Sequence, residues 1–334
     1  MSCPRIYTSE ITKECQIGDI LLSVRAPVGT VAKSIHKACI GRGISAIRAK
    51  NQNLQEYLYQ WLFSFESYWK NISQGGTFDA VNSDDIKNLL IPIPKLEEQK
   101  KIASCFSSLD ELITSHKDKL EALKDHKKGL LQNLFPSATE GERSRTPNYR
   151  FPEFEKDGEW VEKSIEDVSK ITTGNKDTQD KIDDGKYPFF VRSQSIERIN
   201  SYSYDGEAIL TSGDGVGVGK IYHYIVGKFD FHQRVYCIYE FEEDIEGKFV
   251  FYFFSEHFYN RVMQLSAKNS VDSVRRAMIT EMPIVLPPTK EEQQKIASCL
   301  SAVDELITAQ AEKIAQLQEH KKGLMQGLFP KIKS

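Results

Sequence analysis

Two copies of one forty-residue stretch constrain the fold of this chain more than any other feature. The first copy runs from Glu97 to Pro136 and the second from Glu291 to Pro330. They align without a gap at a constant offset of 194 residues, share EEQ, KIASC, DELIT and HKKGL, and both end in LFP. A repeat of this length indicates that one structural unit occurs twice, so we take the repeat as the starting point for the fold.

Each copy has mostly apolar residues at alternating three- and four-residue spacing, which is typical of a coiled-coil helix. One such helix could equally lie on a globular core, but two of matched length and register favour mutual pairing. We expect antiparallel pairing, because a parallel pair would bring Lys127 against Lys321. The antiparallel arrangement should also bring Glu97 and Glu98 near Lys321 and Lys322. The residues predicted to pair are Ile102, Phe106, Leu109, Ile113, His116, Leu120, Ile296, Leu300, Val303, Ile307, Gln310 and Ile314.

The repeated stretch also resembles a known family. Each copy follows a proline-rich strand end, begins with EEQKKIA or EEQQKIA, continues as a heptad helix and ends in HKKGLLQNLFP or HKKGLMQGLFP. This pattern is similar to the conserved regions of type I restriction–modification specificity subunits. The resemblance covers nearly the whole chain. It implies a non-catalytic subunit that reads a bipartite site on double-stranded DNA through two target-recognition domains. It also implies methylation and restriction subunits as partners, which would bind S-adenosylmethionine, ATP and Mg²⁺ in place of this chain.

Length and composition fit such a protein without identifying it. The chain has 334 residues, 40% hydrophobic and 27% charged, which suits two globular domains with long connections. Its apolar runs are too short to span a membrane, and residues 1–20 lack the apolar core of a secretory signal, so we expect a cytoplasmic location. A net charge of −3 argues only mildly against DNA binding, because a basic face can coexist with acidic regions elsewhere.

We therefore predict an α/β protein with two α/β target-recognition domains, the first incomplete at its N-terminal side, separated by two long antiparallel coiled-coil helices. The predicted segments are a partial first domain over 1–94, the first long helix over 95–136, a linker over 137–150, a complete second domain over 151–288, and the second long helix with its tail over 289–334.

The second half also repeats the first outside the helices. Gly206–Thr211 matches Gly18–Ser23 at an offset of 188, and Val235–Ile238 matches Ile44–Ile47 at 191. Residues 151–190 have no counterpart in the first half. Either the gene is a truncated cassette or a second specificity chain supplies the missing part. Other predicted elements are helices over 54–69 and 159–171 and strands over 89–94 and 187–192.

Candidate DNA-binding residues lie in predicted loops, where Arg, Lys, Asn, Gln and Ser can contact phosphates and base edges. Most single polar loop residues are simply solvated, so the clusters carry the prediction. The residues are Arg192, Ser193, Gln194, Arg198, Lys220, His223, Arg234, Lys268, Asn269, Ser270, Arg275 and Arg276 in the second half, and Arg25, Lys33, Arg42 and Thr77 in the first.

Catalytic motifs find little support. The glycine-rich stretch Gly213–Lys220 lacks the glycine and the Ser or Thr of a Walker loop, and it precedes a strand and not a helix. It is better explained as a tight turn. The seven histidines are scattered and the cysteines form no metal-ligand spacing, so we expect no bound metal. An interaction scaffold or a silent cassette without DNA recognition remains the alternative, and the target sequence cannot be deduced.

Overall fold

The computed structural model describes residues 7–50, 52–69, 80–136, 146–215, 217–266 and 273–330. By its internal contacts the chain divides into two compact units. Unit 1 consists of Met1–Leu120 and Ala309–Ser334, and unit 2 of Glu121–Thr308. Each long helix begins in one unit and ends in the other.

Unit 1 contains short strands, an aromatic helix and the first long helix up to residue 120. Its elements are β1 Glu14–Cys15, β2 Ile20–Ser23, β3 Val31–Lys33, β4 Ala38–Cys39, β5 Ile44–Ile47, α1 Gln55–Ser64, α2 Ser83–Lys87 and the start of α3 Leu96–Leu134. β2 lies between β3 and β5 and pairs antiparallel with both.

Unit 2 is built around a larger sheet and a longer aromatic helix. Its elements are β6 Val161–Ser164, β7 Lys170–Thr173, β8 Tyr187–Phe190, β9 Glu197–Ile199, β10 Tyr204–Ser212, β11 Tyr222–Phe231, β12 Val235–Tyr239, α4 Gly247–Leu265, α5 Arg276–Thr280, β13 Pro283–Leu286 and the start of α6 Lys290–Leu328. Six strands form one sheet in the order β7-β12-β10-β11-β8-β9, and β13 pairs with β6 separately.

The six-stranded sheet is strongly curled. The ends of β7 and β11, which are not neighbours in the strand order, meet through a bridge between Lys176 and His232. The Gln233 backbone N–H donates to the Lys176 carbonyl at 2.8 Å. A side chain at Gly174 would lie 1.9 Å from the Phe231 carbonyl oxygen, so this approach requires glycine. The curl brings loops from distant parts of the sheet to one end.

The two long helices are antiparallel, as predicted. Within unit 1, Lys321 Nζ of α6 lies 2.6 Å from Asp110 Oδ1 of α3. Within unit 2, Lys127 Nζ of α3 lies 2.6 Å from Asp304 Oδ1 of α6. Partner numbers fall along α6 as they rise along α3, which defines antiparallel pairing. The two ion pairs are equivalent positions of the repeat.

One detail of the predicted pairing is wrong. Lys321 meets Asp110, and Glu97 instead pairs with Lys100 of its own helix at 3.0 Å. Thirteen residues separate Glu97 from Asp110, which is about 20 Å along a helix. In an antiparallel pair the start of α3 lies opposite the end of α6, beyond Lys321, so the acidic first turn cannot reach that lysine.

The twelve residues predicted to pair are all buried or half-buried. They do not all face the other long helix alone. Ile102 and Phe106 belong to the core of unit 1, and Ile296 and Leu300 to that of unit 2. Near the middle of α3, the Gln310 amide Nε2 donates to the His116 carbonyl at 2.8 Å.

The end of each long helix packs in the unit where the other one begins. Phe135, after α3, contacts Phe249 of α4 with ring centroids 5.3 Å apart. Phe329, after α6, contacts Tyr57 of α1 at 5.7 Å. The repeated LFP motif therefore completes an aromatic core in each unit.

The start of each long helix is anchored by the same glutamine contact. The Gln99 carbonyl oxygen Oε1 accepts from the Leu54 backbone N–H at 2.9 Å, just before α1. The Gln293 Oε1 accepts from the Glu246 backbone N–H at 2.9 Å, just before α4. Each contact satisfies a backbone N–H at a helix start, and it fixes the long helix against the aromatic helix of its own unit.

The weaker sequence repeat outside the long helices is also present in the strand pairing, where β2 and β5 of unit 1 correspond to β10 and β12 of unit 2. One of the two predicted offsets differs by one residue. Ile20 pairs with Ile47 in unit 1, as Ile209 pairs with Ile238 in unit 2. The Val24 N–H donates to the Gly43 carbonyl, as the Gly213 N–H donates to the Arg234 carbonyl. These equivalent contacts give the predicted offset of 191 for the flanking strand but 189, not 188, for the middle strand. Matching apolar letters cannot fix a register to one residue, whereas strand pairing can, because a slip by one turns every side chain to the other face.

Two predicted elements are wrong. Residues 159–171 form β6, a short 3-10 turn and the start of β7 in place of a helix. Asp167 and Ser164 make a capping box that initiates only this single turn, since β6 is held in pairing with β13. Residues 89–94 form no strand, although the equivalent stretch of unit 2 is β13. Strand formation needs a partner, and no described strand of unit 1 corresponds to β6.

Candidate nucleic-acid interface

Polar side chains from three loops meet at one end of the curled sheet in unit 2. Arg192, just after β8, donates from Nη1 to Asp214 Oδ1 at 3.0 Å. Arg234, in the turn before β12, lies 3.8 Å from Asp214 Oδ2 through its Nε. Both arginines are exposed. The Asp214 carboxylate therefore holds two arginines side by side while each keeps further N–H donors for another molecule.

Two histidines lie beneath this arginine pair and are kept neutral. His223 Nε2 lies 3.1 Å from the Ser193 carbonyl, and burial lowers the pKa of this imidazole, a shift that the carbonyl contact partly opposes. His232 Nδ1 accepts from the Arg234 backbone N–H at 2.9 Å. Burial lowers the pKa of His232 first, and the nearby Arg192 charge lowers it further. Both rings thus act as uncharged supports for the loops at neutral pH.

The glycine-rich stretch is a turn between β10 and β11, as predicted. Gly215 and Gly219 have φ of 85° and 69°, a region that other residues rarely adopt. Lys220 is exposed and its Nζ lies 4.9 Å from the Tyr259 ring centroid. The Val274 backbone N–H donates to the Gly213 carbonyl at 2.8 Å, and the next residue in the chain, Arg275, is exposed.

Some predicted residues are committed to the fold itself. Arg198 donates to the carbonyls of Gly185 and Lys186 at 2.9 Å each. Arg276 donates from Nη2 to the Ile171 carbonyl at 2.9 Å. These contacts stabilise neighbouring loops and occupy part of the donor capacity of both guanidinium groups. Gln194 is exposed beside Arg192. Thr77, Lys268, Asn269 and Ser270 lie outside the described residues.

Unit 1 has a counterpart of the same turn. An isolated bridge joins Arg25 to Ala80, and the equivalent bridge in unit 2 joins Asp214 to Ser273. Arg25 therefore occupies the position of Asp214 and is exposed, as is Arg42. Lys33 forms an ion pair with Glu56 and lies 4.3 Å from the centroid of the Tyr59 ring.

Sequence reasoning missed the acidic members of the cluster. The sequence pattern accounts for Asp214 only as part of a glycine-rich turn and does not single out Asp177, which accepts from Gln233 Nε2 at 3.1 Å. An acid within a glycine turn, between two basic loops, is the signal that could have found Asp214. Its pairing with arginines 22 and 20 residues away depends on the curl of the sheet.

The two long helices carry an exposed leucine at one pair of equivalent positions of the repeat. Leu112 of α3 is 44% exposed and Leu306 of α6 is 56% exposed. Neither belongs to the residues predicted to pair. Within the described ranges, no group of three or more His, Cys, Asp or Glu side chains could hold a metal ion. No helix in the described part of the chain is long and apolar enough to cross a membrane.

Comparison with known proteins decides the family. The model of the type I restriction modification DNA specificity domain matches residues 9–125 and 157–319, once in each half. The chain belongs to this family. The expectation of a non-catalytic specificity subunit, drawn from the repeated helices, agrees with this membership.

Relatives within the specificity family cover different shares of the chain. The MjaIX specificity subunit of Methanocaldococcus jannaschii is 33% identical over 199 residues, which are 55% of this chain and 45% of that protein. The MjaVIII specificity subunit of the same archaeon is 26% identical over 315 residues, 86% of this chain and 73% of that protein. The matched segments thus cover less than half of the MjaIX subunit.

The fold is that of specificity subunits of known structure. The S subunit of the type I restriction-modification system from M. genitalium superposes with a TM-score of 0.69 at 15% identity, over 96% of this chain and 85% of that chain. At this identity the likeness concerns the fold alone. It supports two α/β units with two long helices as the architecture of the specificity family.

Proposed function

We propose that this chain is the non-catalytic DNA-specificity subunit of a type I restriction–modification complex in the cytoplasm. Segments 1–94 and 151–288 act as its recognition domains, and double-stranded DNA is its target. Methylation and restriction subunits join the complex and bind S-adenosylmethionine, ATP and Mg²⁺.

The observation that carries this proposal is the arginine pair on Asp214. Arginine forks bind guanine O6 and N7 in the major groove, and an arginine held by a carboxylate loses less freedom on binding. Arg192 and Arg234 come from different loops but share one carboxylate. Lys220 is exposed in the glycine-rich stretch that also contains Asp214, and Arg275 is exposed beside Val274, which bonds to that stretch; both side chains are suited to phosphates. Gln194 and Ser193 add neutral donors and acceptors that could contact base edges.

In unit 1 the equivalent turn carries Arg25, with Arg42 also exposed. We propose that these residues contact the second half of a bipartite target. Lys33 is a weaker candidate, because Glu56 already pairs with it.

The proposed function is tested by replacing both arginines of the pair. Arg192→Ala with Arg234→Ala should remove discrimination at one half-site, by about 1–3 kcal/mol for each base that an arginine contacts. The measurement is duplex binding by the assembled complex, with targets altered one half-site at a time. Lys170→Ala is the matched control, because Lys170 is also exposed and paired with an acid, Glu240, at the far end of the β7–β12 pair.

Selectivity for both half-sites that survives in the double variant would show that DNA is read on another surface. Absence of salt-dependent duplex binding by the unaltered complex would instead favour the interaction scaffold.

A further inference from the structure

The turn between β11 and β12 carries an exposed amide side chain, Gln233, directly before Arg234 of the arginine pair. The Val235 backbone N–H donates to the His232 carbonyl at 2.9 Å and closes the turn. The buried His232 ring supports the turn from below, because its Nδ1 accepts from the Arg234 backbone N–H at 2.9 Å. Gln233 therefore lies at the tip of a tightly held turn.

Asp177, in the loop after β7, orients the Gln233 side chain. The Gln233 amide Nε2 donates to Asp177 Oδ2 at 3.1 Å. The Asp177 backbone N–H donates to Asp180 Oδ2 at 2.7 Å, which holds this loop in shape. A glutamine amide has two N–H groups and one acceptor oxygen. The bond to Asp177 uses one N–H, and the second N–H and Oε1 are the two groups that a bidentate contact requires.

The bond between Gln233 and Asp177 is not needed to join the two loops. The Gln233 backbone N–H already donates to the Lys176 carbonyl at 2.8 Å, and a β-bridge links Lys176 to His232. The side-chain bond instead restricts the amide to one orientation. A restricted side chain loses less freedom when it binds a ligand, so Asp177 acts as a positioning residue.

The amide and the arginine pair belong to one cluster around His232. His232 Nε2 lies 4.0 Å from Asp177 Oδ2. Burial lowers the pKa of His232 first, and four charged side chains near the ring also act on it, namely Arg192, Asp177, Asp214 and Arg234. Gln233 and Arg234 are thus neighbouring side chains, each oriented by its own carboxylate.

Unit 1 has the same turn with a different residue at its tip. The Ile44 backbone N–H donates to the Gly41 carbonyl at 3.2 Å, which is the contact that closes the turn in unit 2. Donor and acceptor both have the offset of 191 that relates the flanking strands. Arg42 is therefore the equivalent of Gln233, and it is also exposed. One position of the fold carries an amide in one unit and a guanidinium in the other.

We propose that the tip of this turn reads one base in each half-site, an adenine by Gln233 and a guanine by Arg42. An amide can donate to adenine N7 and accept from N6, whereas a guanidinium donates to guanine O6 and N7. Adjacent Cα atoms are about 3.8 Å apart, close to the rise of about 3.4 Å per base pair, so Gln233 and Arg234 can face neighbouring base pairs. The inference rests on the proposed function and adds to it the base that is read at one equivalent position.

The test selects preferred duplexes from a randomised pool with the assembled complex, unaltered or with one residue changed. Gln233→Arg should change the preferred pair at one position of one half-site from A·T to G·C. Arg42→Gln should make the reverse change at one position of the other half-site. Each substitution should shift the preference between the two pairs by about tenfold or more, as expected for a bidentate contact. Gln132→Ala, at an exposed position of α3 in unit 2, is the control and should keep both preferences.

A base that lacks one acceptor tests the Gln233 contact without any change in the protein. 7-Deazaadenine is placed at each adenine of the selected half-site in turn. At one of them the affinity of the unaltered complex should fall about fivefold, whereas that of the Gln233→Ala complex should not change. Asp177→Ala should lower discrimination at the same position and have little further effect together with Gln233→Ala, because it acts through that amide.

Each result bears on a separate statement. An unchanged base preference in either tip variant would overturn the assignment of that residue. For Gln233, so would a half-site in which 7-deazaadenine lowers the affinity of the unaltered and Gln233→Ala complexes equally, or lowers neither. In these cases the arginine pair can still read DNA, which the Arg192→Ala, Arg234→Ala double variant tests. If that double variant keeps its selectivity for both half-sites, the proposed function and this inference fall together.

Discussion

At the scale of single residues, carboxylates organise the basic side chains of this chain. Asp214 holds Arg192 and Arg234 at the candidate interface. Asp304 accepts from Lys127 and from the Tyr252 hydroxyl, at 2.6 and 2.8 Å. A lysine or arginine next to apolar surface loses part of its hydration. In these clusters a neighbouring carboxylate compensates for part of that loss through its opposite charge. Net charge alone therefore says little about where this chain is basic.

Three histidines of unit 2 have a lowered pKa in the folded chain, so we expect the folded chain to be less stable in weak acid. Burial lowers the pKa of His223, His232 and His257, so the unfolded chain binds protons in a range where the folded chain does not. Their contribution to stability is present above the unfolded value near 6.5 and is lost as pH falls below it. The free energy of unfolding should fall between pH 7.5 and 5.5, by up to about 1.4 kcal/mol per pH unit for each histidine.

Chemical denaturation across this pH range measures the effect. His257→Phe should reduce the slope, because the His257 ring stacks on Phe253 with centroids 4.3 Å apart and a phenyl ring can keep that contact. His126→Gln, at an exposed position on α3, is the control and should keep the slope of the unaltered chain. A slope that His257→Phe leaves unchanged would assign the pH dependence to other groups.

At the scale of elements, each long helix works in two places. Its start is tied to the aromatic helix of one unit through a glutamine, and its end places a phenylalanine in the core of the other unit. Between its two ends, each helix forms ion pairs with the other long helix, Lys127 with Asp304 and Lys321 with Asp110. A helix pair with only apolar contacts would lack them. Polar contacts at such positions restrict the register, because a shifted helix would leave a lysine beside apolar side chains.

The helix ends give a matched pair of variants. Phe135→Ala and Phe329→Ala each remove a buried ring, which typically costs about 3–5 kcal/mol. Hydrogen exchange of the full chain should become faster in α4 for Phe135→Ala and in α1 for Phe329→Ala, because these helices contact the respective rings. Leu328→Ala, at an exposed neighbouring position, should change neither. The reverse assignment of the two variants would contradict the described packing.

At the scale of the whole molecule, each unit combines parts from distant regions of the chain. Unit 1 needs residues 309–334 to complete its core, and the described part of that segment includes Met325 and Phe329. Neither long helix can be deleted without damage to both units. The exposed leucines Leu112 and Leu306 lie at equivalent positions of the two long helices, so the same helix surface occurs twice in this chain.

Charge at these leucines should weaken assembly. We expect that Leu112→Asp with Leu306→Asp lowers the affinity for methylation subunits at least tenfold, about 1.4 kcal/mol, because a buried apolar contact would become a buried charge. Sedimentation of mixtures at several subunit ratios measures this change. Thr114→Asp with Thr308→Asp, at equivalent exposed positions on another face of the helices, is the control. Equal affinity of both double variants would place the partner surface elsewhere.

The sequence alone determined the repeat, the two long helices and their antiparallel pairing. Helix periodicity and the positions of Lys127 and Lys321 are local or pairwise properties that can be read directly. The middle strands of both sheets and the glycine turn were also found, because turn residues bound short apolar runs. Family resemblance gave the function class from the same helices, whose motifs are long enough to be specific.

Tertiary structure decided which polar residues come together and which segments become strands. Asp214 meets Arg192 only because the sheet curls, and Arg276 is committed to a carbonyl 105 residues away. Residues 161–164 are extended because β13 pairs with them. Residues 89–94 are equivalent to β13 and the residues after it, but no described strand pairs with them. A helix satisfies its backbone within itself, whereas a strand and a side-chain cluster depend on neighbours that are distant in sequence.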